Sequence, residues 1–186
     1  MRLSWCLLLL CAPVASAATP ARLLVSIGSD YGRPDDVVLQ HAEDDATRVR
    51  DLFVELGGVE ATRALVLRRP TAAQVRERFA EVTGRVAELK AAGREVQVFV
   101  FATSHGKRGV LHLSGTELAV DELRRLATAT GAGLRVVIVD ACEAGLRAKG
   151  TRRGPAYEVT LAPPQTAGDV FLSSSGAHEA AQEWDS

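Results

Sequence analysis

The chain is short of charge imbalance, of cysteine, and of repeated or low-complexity sequence. Its 186 residues carry 22 basic against 23 acidic side chains, a formal net charge of −1. A domain that holds nucleic acid by electrostatics is normally clearly basic, so this balance argues against nucleic acid as a partner. Three cysteines are too few for a disulfide framework. Near-zero net charge combined with 47% hydrophobic residues argues against disorder. What remains is enough apolar sequence for one ordinary domain with a real core, and too little for two.

The one long apolar run lies at the start. Arg2 gives a positive end, Leu3 to Val14 is almost wholly apolar, and Ala15-Ser16-Ala17 offers small residues for cleavage. This is the anatomy of a secretory signal peptide over residues 1–17, too short to read as a stable membrane span. A lipid anchor on Cys11 is the competing reading, but Leu10 is bulky where such sites want a small residue. The expected product is secreted or periplasmic, begins near Ala18 and keeps no stable membrane span. Its domain covers 21–186. Cys6 and Cys11 leave with the leader, and Cys142 remains as the only thiol. A lone thiol in an exported domain is either a buried small hydrophobe or a reactive nucleophile.

Beyond the leader, apolar runs of strand length alternate with helical periods. Leu23 to Ile27 reads as a buried strand ending at Gly28, followed by a Gly-, Asp- and Pro-rich loop to Asp36. Ala46, Val49, Leu52, Phe53 and Leu56 predict an amphipathic helix closed by Gly57. Ala64 to Leu67 predicts a second strand. Thr71 and Gln74 have the spacing of a capping box before a helix marked by Val75, Phe79, Val82, Val86 and Leu89. Val96 to Phe101 predicts a third strand, and Val110 to Leu113 one arm of a hairpin turning at Gly115. Val120, Leu123 and Leu126 mark a third helix stopped by Gly131. Leu134 to Val139 predicts a fourth strand, and Asp169 to Leu172 starts a fifth. This order implies an α/β sandwich, a mostly parallel central sheet with helices on both faces.

Open parallel sheets carry their chemistry beyond the carboxyl ends of their strands. The third strand runs into Thr103-Ser104-His105-Gly106, and the fourth into Asp140-Ala141-Cys142-Glu143. If the two are neighbours, an imidazole and the only mature thiol share one cleft, the minimum equipment for acyl transfer. The thiolate is the nucleophile, and imidazole shifts its ionisation or protonates a leaving amine. Glycine after the histidine allows close approach of a scissile carbonyl. The backbone amides of Gly106 and Cys142 are placed to hold a developing oxyanion, a stabilisation worth about 3 kcal/mol per donor. Taken singly, a cysteine after a buried strand is core packing and a loop histidine is incidental; their joint placement favours a site. His41, His112 and His178 lack such a setting and read as surface or hairpin residues.

The phrases Phe101 to Gly106 and Asp140 to Gly145 resemble the histidine–glycine and aspartate–alanine–cysteine motifs of the caspase clan of cysteine peptidases, and of bacterial and metacaspase-like members (peptidase C14) in particular. The segment Leu39 to Ala46 is similar to the family segment ending in asparagine–aspartate–alanine. The resemblance spans about Ala21 to the end. It implies a caspase-like three-layer fold and a cysteine endopeptidase acting on proteins or peptides without a cofactor. It further implies that Asp45 and Asp140 line the specificity pocket and select arginine or lysine before the cut. Two carboxylates in a narrow pocket suit a cation. The position aligned with a caspase pocket arginine is Leu39, which speaks against aspartate specificity. On its own, Asp45 has the plainer reading of a solvated carboxylate favoured by the helix dipole.

The chain also departs from the family. His105 and Cys142 stand 37 positions apart, against about 50 in caspases, leaving little room for insertions. No acidic run supplies the oxygen ligands calcium needs, so no metal is expected. The chain stops at Ser186, where the family continues with a further strand and helices. An uncovered fifth strand is then an exposed edge that invites pairing, in a dimer or with a missing C-terminal segment. Arg147, Lys149, Arg152 and Arg153 crowd the loop where family members are often self-processed. The alternative to an active enzyme is a weak or silent caspase-like module that works by binding.

Overall fold

The structure, a computed structural model, describes residues 19–141 and 168–174. The expected leader at 1–17, Cys142 and the basic loop at 147–153 lie outside the described residues.

The first strand, β1 (Ala21–Ser29), is an inner strand of the sheet, buried along nearly its whole length. It carries a parallel neighbour on each edge, β2 (Ala64–Arg68) and β3 (Val96–Lys107). Strand β6 (Leu134–Asp140) pairs parallel with β3, and β7 (Asp169–Ser173) with β6. The parallel order is therefore β2-β1-β3-β6-β7. Strands β4 (Val110–Leu113) and β5 (Thr116–Ala119) form an antiparallel hairpin on the far end of β3.

The path of the chain decides which face each helix covers. It leaves β1 through α1 (Ala42–Glu55) outward to β2, then returns through α2 (Ala72–Ala91) past β1 to β3. Parallel crossovers are right-handed, so reversing direction puts α1 and α2 on opposite faces. The next crossover, through α3 (Val120–Ala129) to β6, runs the same way as the second and covers the α2 face. Packing follows. Leu23, Val25 and Ile27 of β1, with Val98 and Val100 of β3, share one core with Val75, Phe79, Val82 and Val86 of α2 and Leu123 of α3. On the other face Ser26 donates to the Ala46 carbonyl at 2.6 Å, and the Phe53 and Phe99 rings lie 5.1 Å apart. A Cβ on Gly28 would lie 2.2 Å from the Ala42 carbonyl oxygen, so glycine there lets α1 sit on the end of β1.

The expected sheet and its helices are thus present, including the capping box: Gln74 N–H donates to Thr71 Oγ1 and Thr71 N–H to Gln74 Oε1. Two details differ. Helix α1 starts at Ala42, and its Leu52 and the Leu56 that caps it are 52% and 75% exposed, so its apolar stripe is only half used. Strand β3 does not end at Phe101 but runs on to Lys107 by exchanging partners. Its pairing with β1 ends at Ser29–Ser104, and pairing with β4 begins at His105–His112. Strand β7 has β6 on one side and no described strand on the other. Among the described residues, no helix is long and apolar enough to cross a membrane.

Candidate active site

Connections leave β1 and β3 toward opposite sides of the sheet, which opens a crevice beyond their carboxyl ends. Two pieces of chain meet there, the 30–41 loop after β1 and the His105 segment of β3. His105 is the first residue of β3 past its parallel neighbours, half-buried, with its Nε2 hydrogen-bonded to the Val37 carbonyl. A carbonyl oxygen only accepts, so Nε2 carries the proton and Nδ1 keeps the lone pair. The backbone therefore selects which imidazole nitrogen is basic.

The loop that supplies this carbonyl is tied to the hairpin. Ser114 and Gly115 N–H donate to the carbonyls of Tyr31 and Gly32 at 2.9 and 2.8 Å. The Arg33 guanidinium pairs with Glu117 at 2.6 Å. Asp36 Oδ2 accepts from Arg33 N–H at 2.7 Å and lies 2.7 Å from His112 Nδ1. A Cβ on Gly32 would lie 2.1 Å from that same oxygen, so glycine leaves room for the carboxylate. Burial works to raise the Asp36 pKa, but the hydrogen bonds it accepts from Arg33 N–H and His112 outweigh it, leaving it below the ordinary value. His112, expected as a surface or hairpin residue, is on the hairpin but buried, at 2% exposure. The sequence signal was available: in Val110-Leu111-His112-Leu113 the histidine sits amid apolar residues.

The other expected site residues fall as follows. Gly106 lies opposite Leu111 in the β3–β4 ladder. Asp140 is exposed at the end of β6, paired in register with Thr103, and Ala141 beyond it is buried. Cys142, the next residue, is outside the described residues. Asp45 is on the first turn of α1, 43% exposed, with Arg48 3.3 Å away. Beside it is a carboxylate not singled out from the sequence. Glu43 is buried and pairs with Arg69 at 2.9 Å and Arg68 at 3.7 Å. The hydrogen bond that Arg69 Nε donates to Glu43 raises the Arg69 pKa further, and the Arg69 guanidinium lies 3.9 Å from the centre of the Tyr31 ring. Among the described residues, no three His, Cys, Asp or Glu side chains group as metal ligands.

The profile of the peptidase C13 family matches residues 62–167, more than half of the chain. That span holds His105, His112, Asp140 and Cys142 and leaves out the 30–41 loop and Asp45. No curated protein matches. Among solved structures, the crystal structure of caspase-1 from Spodoptera frugiperda is similar, with a TM-score of 0.55 and 15% identity over 88% of this chain and 62% of that one. A structure of pro-sf-caspase-1 gives a TM-score of 0.47 and 13% identity, covering 75% of this chain and 57% of that one. At such identity the caspase-1 likeness establishes a caspase-like fold, and this chain spans less than two thirds of the caspase-1 length.

Proposed function

From the membership of this chain in the peptidase C13 family, we propose that it is a cysteine endopeptidase in which Cys142 is the nucleophile and His105 the acid/base. One observation carries the reading. Thr103 and Asp140 are register partners on β3 and β6, and each stands two residues before one member of the pair.

His105 Nδ1, free of the Val37 carbonyl, takes the thiol proton, and the sulfur attacks the peptide carbonyl carbon. The amides of Gly106 and Cys142 hold the oxyanion. Collapse expels the amine, which takes the proton back from the imidazolium. Water then attacks the thioester, with the same nitrogen accepting its proton, and releases the acid and the thiol.

The proposed preference is for arginine or lysine before the cut, held by Asp45 and Asp140. The Asp45–Arg48 pair is solvent-exposed and three residues apart on one helix, a kind worth about 0–1 kcal/mol, so a substrate cation displaces Arg48 at little cost. Export of the domain after loss of residues 1–17 belongs to the same reading.

Hydrolysis of fluorogenic peptides ending in Arg, Lys, Asp or Asn by the full chain and by Cys142→Ala tests it. The expected result is cleavage after Arg and Lys that Cys142→Ala abolishes. Cleavage confined to Asp or Asn keeps the enzyme and removes Asp45 and Asp140 as selectors. Activity that persists in Cys142→Ala overturns the nucleophile, and absence of any cleavage favours a silent binding module.

A further inference from the structure

Two residues that take no part in the proposed reaction stand behind His105. His112 faces it across the β3–β4 register and is buried. Its Nδ1 is 2.7 Å from Asp36 Oδ2. Asp36 is ionised at neutral pH, being held below the ordinary carboxylate range, so it accepts and Nδ1 donates. Among the described residues, His112 Nε2 is buried with no hydrogen-bond partner, and Asp36 is the polar group that anchors the ring.

Asp36 immediately precedes Val37, whose carbonyl fixes the proton on His105 Nε2. Consecutive Cα atoms are locked about 3.8 Å apart, so fixing Asp36 fixes the start of Val37. Val37 has no anchor of its own in packing, since it is 80% exposed and Val38 after it is 50% exposed. An exposed aliphatic residue does not hold a carbonyl in place by burial. The carboxylate one residue earlier is itself held by His112 and Arg33 N–H, and two residues later Leu39 N–H donates to the Asp30 carbonyl at 2.9 Å.

We infer that Asp36 and His112 are a positioning pair that sets the Val37 carbonyl against His105 and so decides the tautomer of its imidazole. The pair acts through Val37 and touches no substrate. The inference rests on the reading of His105 as the acid/base, but its readout is independent of turnover.

The test is 15N NMR of the histidine rings in the full chain, with peptide hydrolysis measured alongside. In the unsubstituted protein His105 Nε2 is expected to read as a protonated, pyrrole-type nitrogen. In Asp36→Ala and His112→Leu both ring nitrogens should move toward the average of two exchanging tautomers. His112→Asn, which presents an amide N–H near the place of Nδ1–H, should restore the original pattern, and Asp35→Asn, an exposed neighbouring carboxylate, should leave it untouched. Where the chain cleaves peptide, kcat should fall about 10- to 100-fold with KM within about twofold. An unchanged His105 tautomer in folded Asp36→Ala overturns the inference, as does loss of the fold in both variants, which would make the pair a structural core element. A tautomer shift in a chain that cleaves nothing upholds the inference and overturns the catalytic reading instead.

Discussion

Thr103 and Asp140 pair in register across β3 and β6, and the same two-residue step leads from one to His105 and from the other to Cys142. A thiol beside an imidazole ionises more readily than a free one. Alkylation of Cys142 near neutral pH is therefore expected to slow about tenfold in His105→Ala, read as the rate of iodoacetamide incorporation by mass spectrometry. Equal rates in the two proteins would show that the thiol does not feel this histidine.

Two glycines near the crevice predict opposite outcomes on gaining a methyl group. At Gly28 the added carbon meets backbone, the Ala42 carbonyl oxygen at 2.2 Å, so α1 must shift bodily. Gly28→Ala should cost about 1–3 kcal/mol of stability by urea unfolding. At Gly32 it meets the end of a rotatable side chain, Asp36 Oδ2 at 2.1 Å. Gly32→Ala should cost much less stability yet turn Asp36 away from His112, giving the same His105 NMR pattern as Asp36→Ala. A larger stability loss at Gly32 than at Gly28 would contradict this account.

The sheet and its helices were legible because their apolar periods are long and clean, as in Val75-Phe79-Val82-Val86. The end of β3 was not, since Thr103, Ser104, His105 and Gly106 carry no alternation; what extends them is a partner strand, β4, that only the tertiary fold supplies. The half-buried state of α1 was equally hidden, because periodicity shows that Leu52 and Leu56 share a helix and says nothing of what lies opposite. His105 could be found from its place after a strand. The Asp36–His112 pair could not, since the two residues are 76 positions apart and meet only where the 30–41 loop folds onto the hairpin. Glu43 is hidden for a similar reason: among Glu43, Asp44 and Asp45, only the packing of α1 on β1 decides which carboxylate is buried. The motifs point to the caspase-like fold and to C14, metacaspase-like members, whereas the family profile that matches is that of C13.

Phe79 is 1% exposed at the centre of the α2 face, with Val75 and Val82 one turn to either side and wholly buried. Truncating it removes the largest side chain of that layer and leaves a cavity between helix and sheet. Phe79→Ala should lower the free energy of unfolding by about 3–5 kcal/mol, measured from urea midpoints at constant slope. A loss below about 1 kcal/mol would mean that the layer collapses to fill the gap.

Acid stability should depend on three carboxylates with different partners. Asp36 is held low despite its burial by Arg33 N–H and His112, Asp169 by its hydrogen bond to Arg135, and Glu122 by its hydrogen bond to Arg76. In the unfolded chain each titrates near pH ~4, above its folded value, so around that pH the unfolded state binds more protons. Stability from these groups is therefore complete above the unfolded value and is lost as pH falls through the lowered folded value. Asp36→Asn and Asp169→Asn, which keep shape and remove charge, should each flatten the acid limb of stability against pH, read from urea midpoints between neutral pH and the acid transition. The Asp169→Asn effect should also shrink in high salt, since that carboxylate is half exposed and its ion pair is screened, whereas the Asp36 effect should persist because its partner His112 is buried. An acid limb of unchanged slope in Asp36→Asn would show that the carboxylate is not held by its partners as the geometry requires.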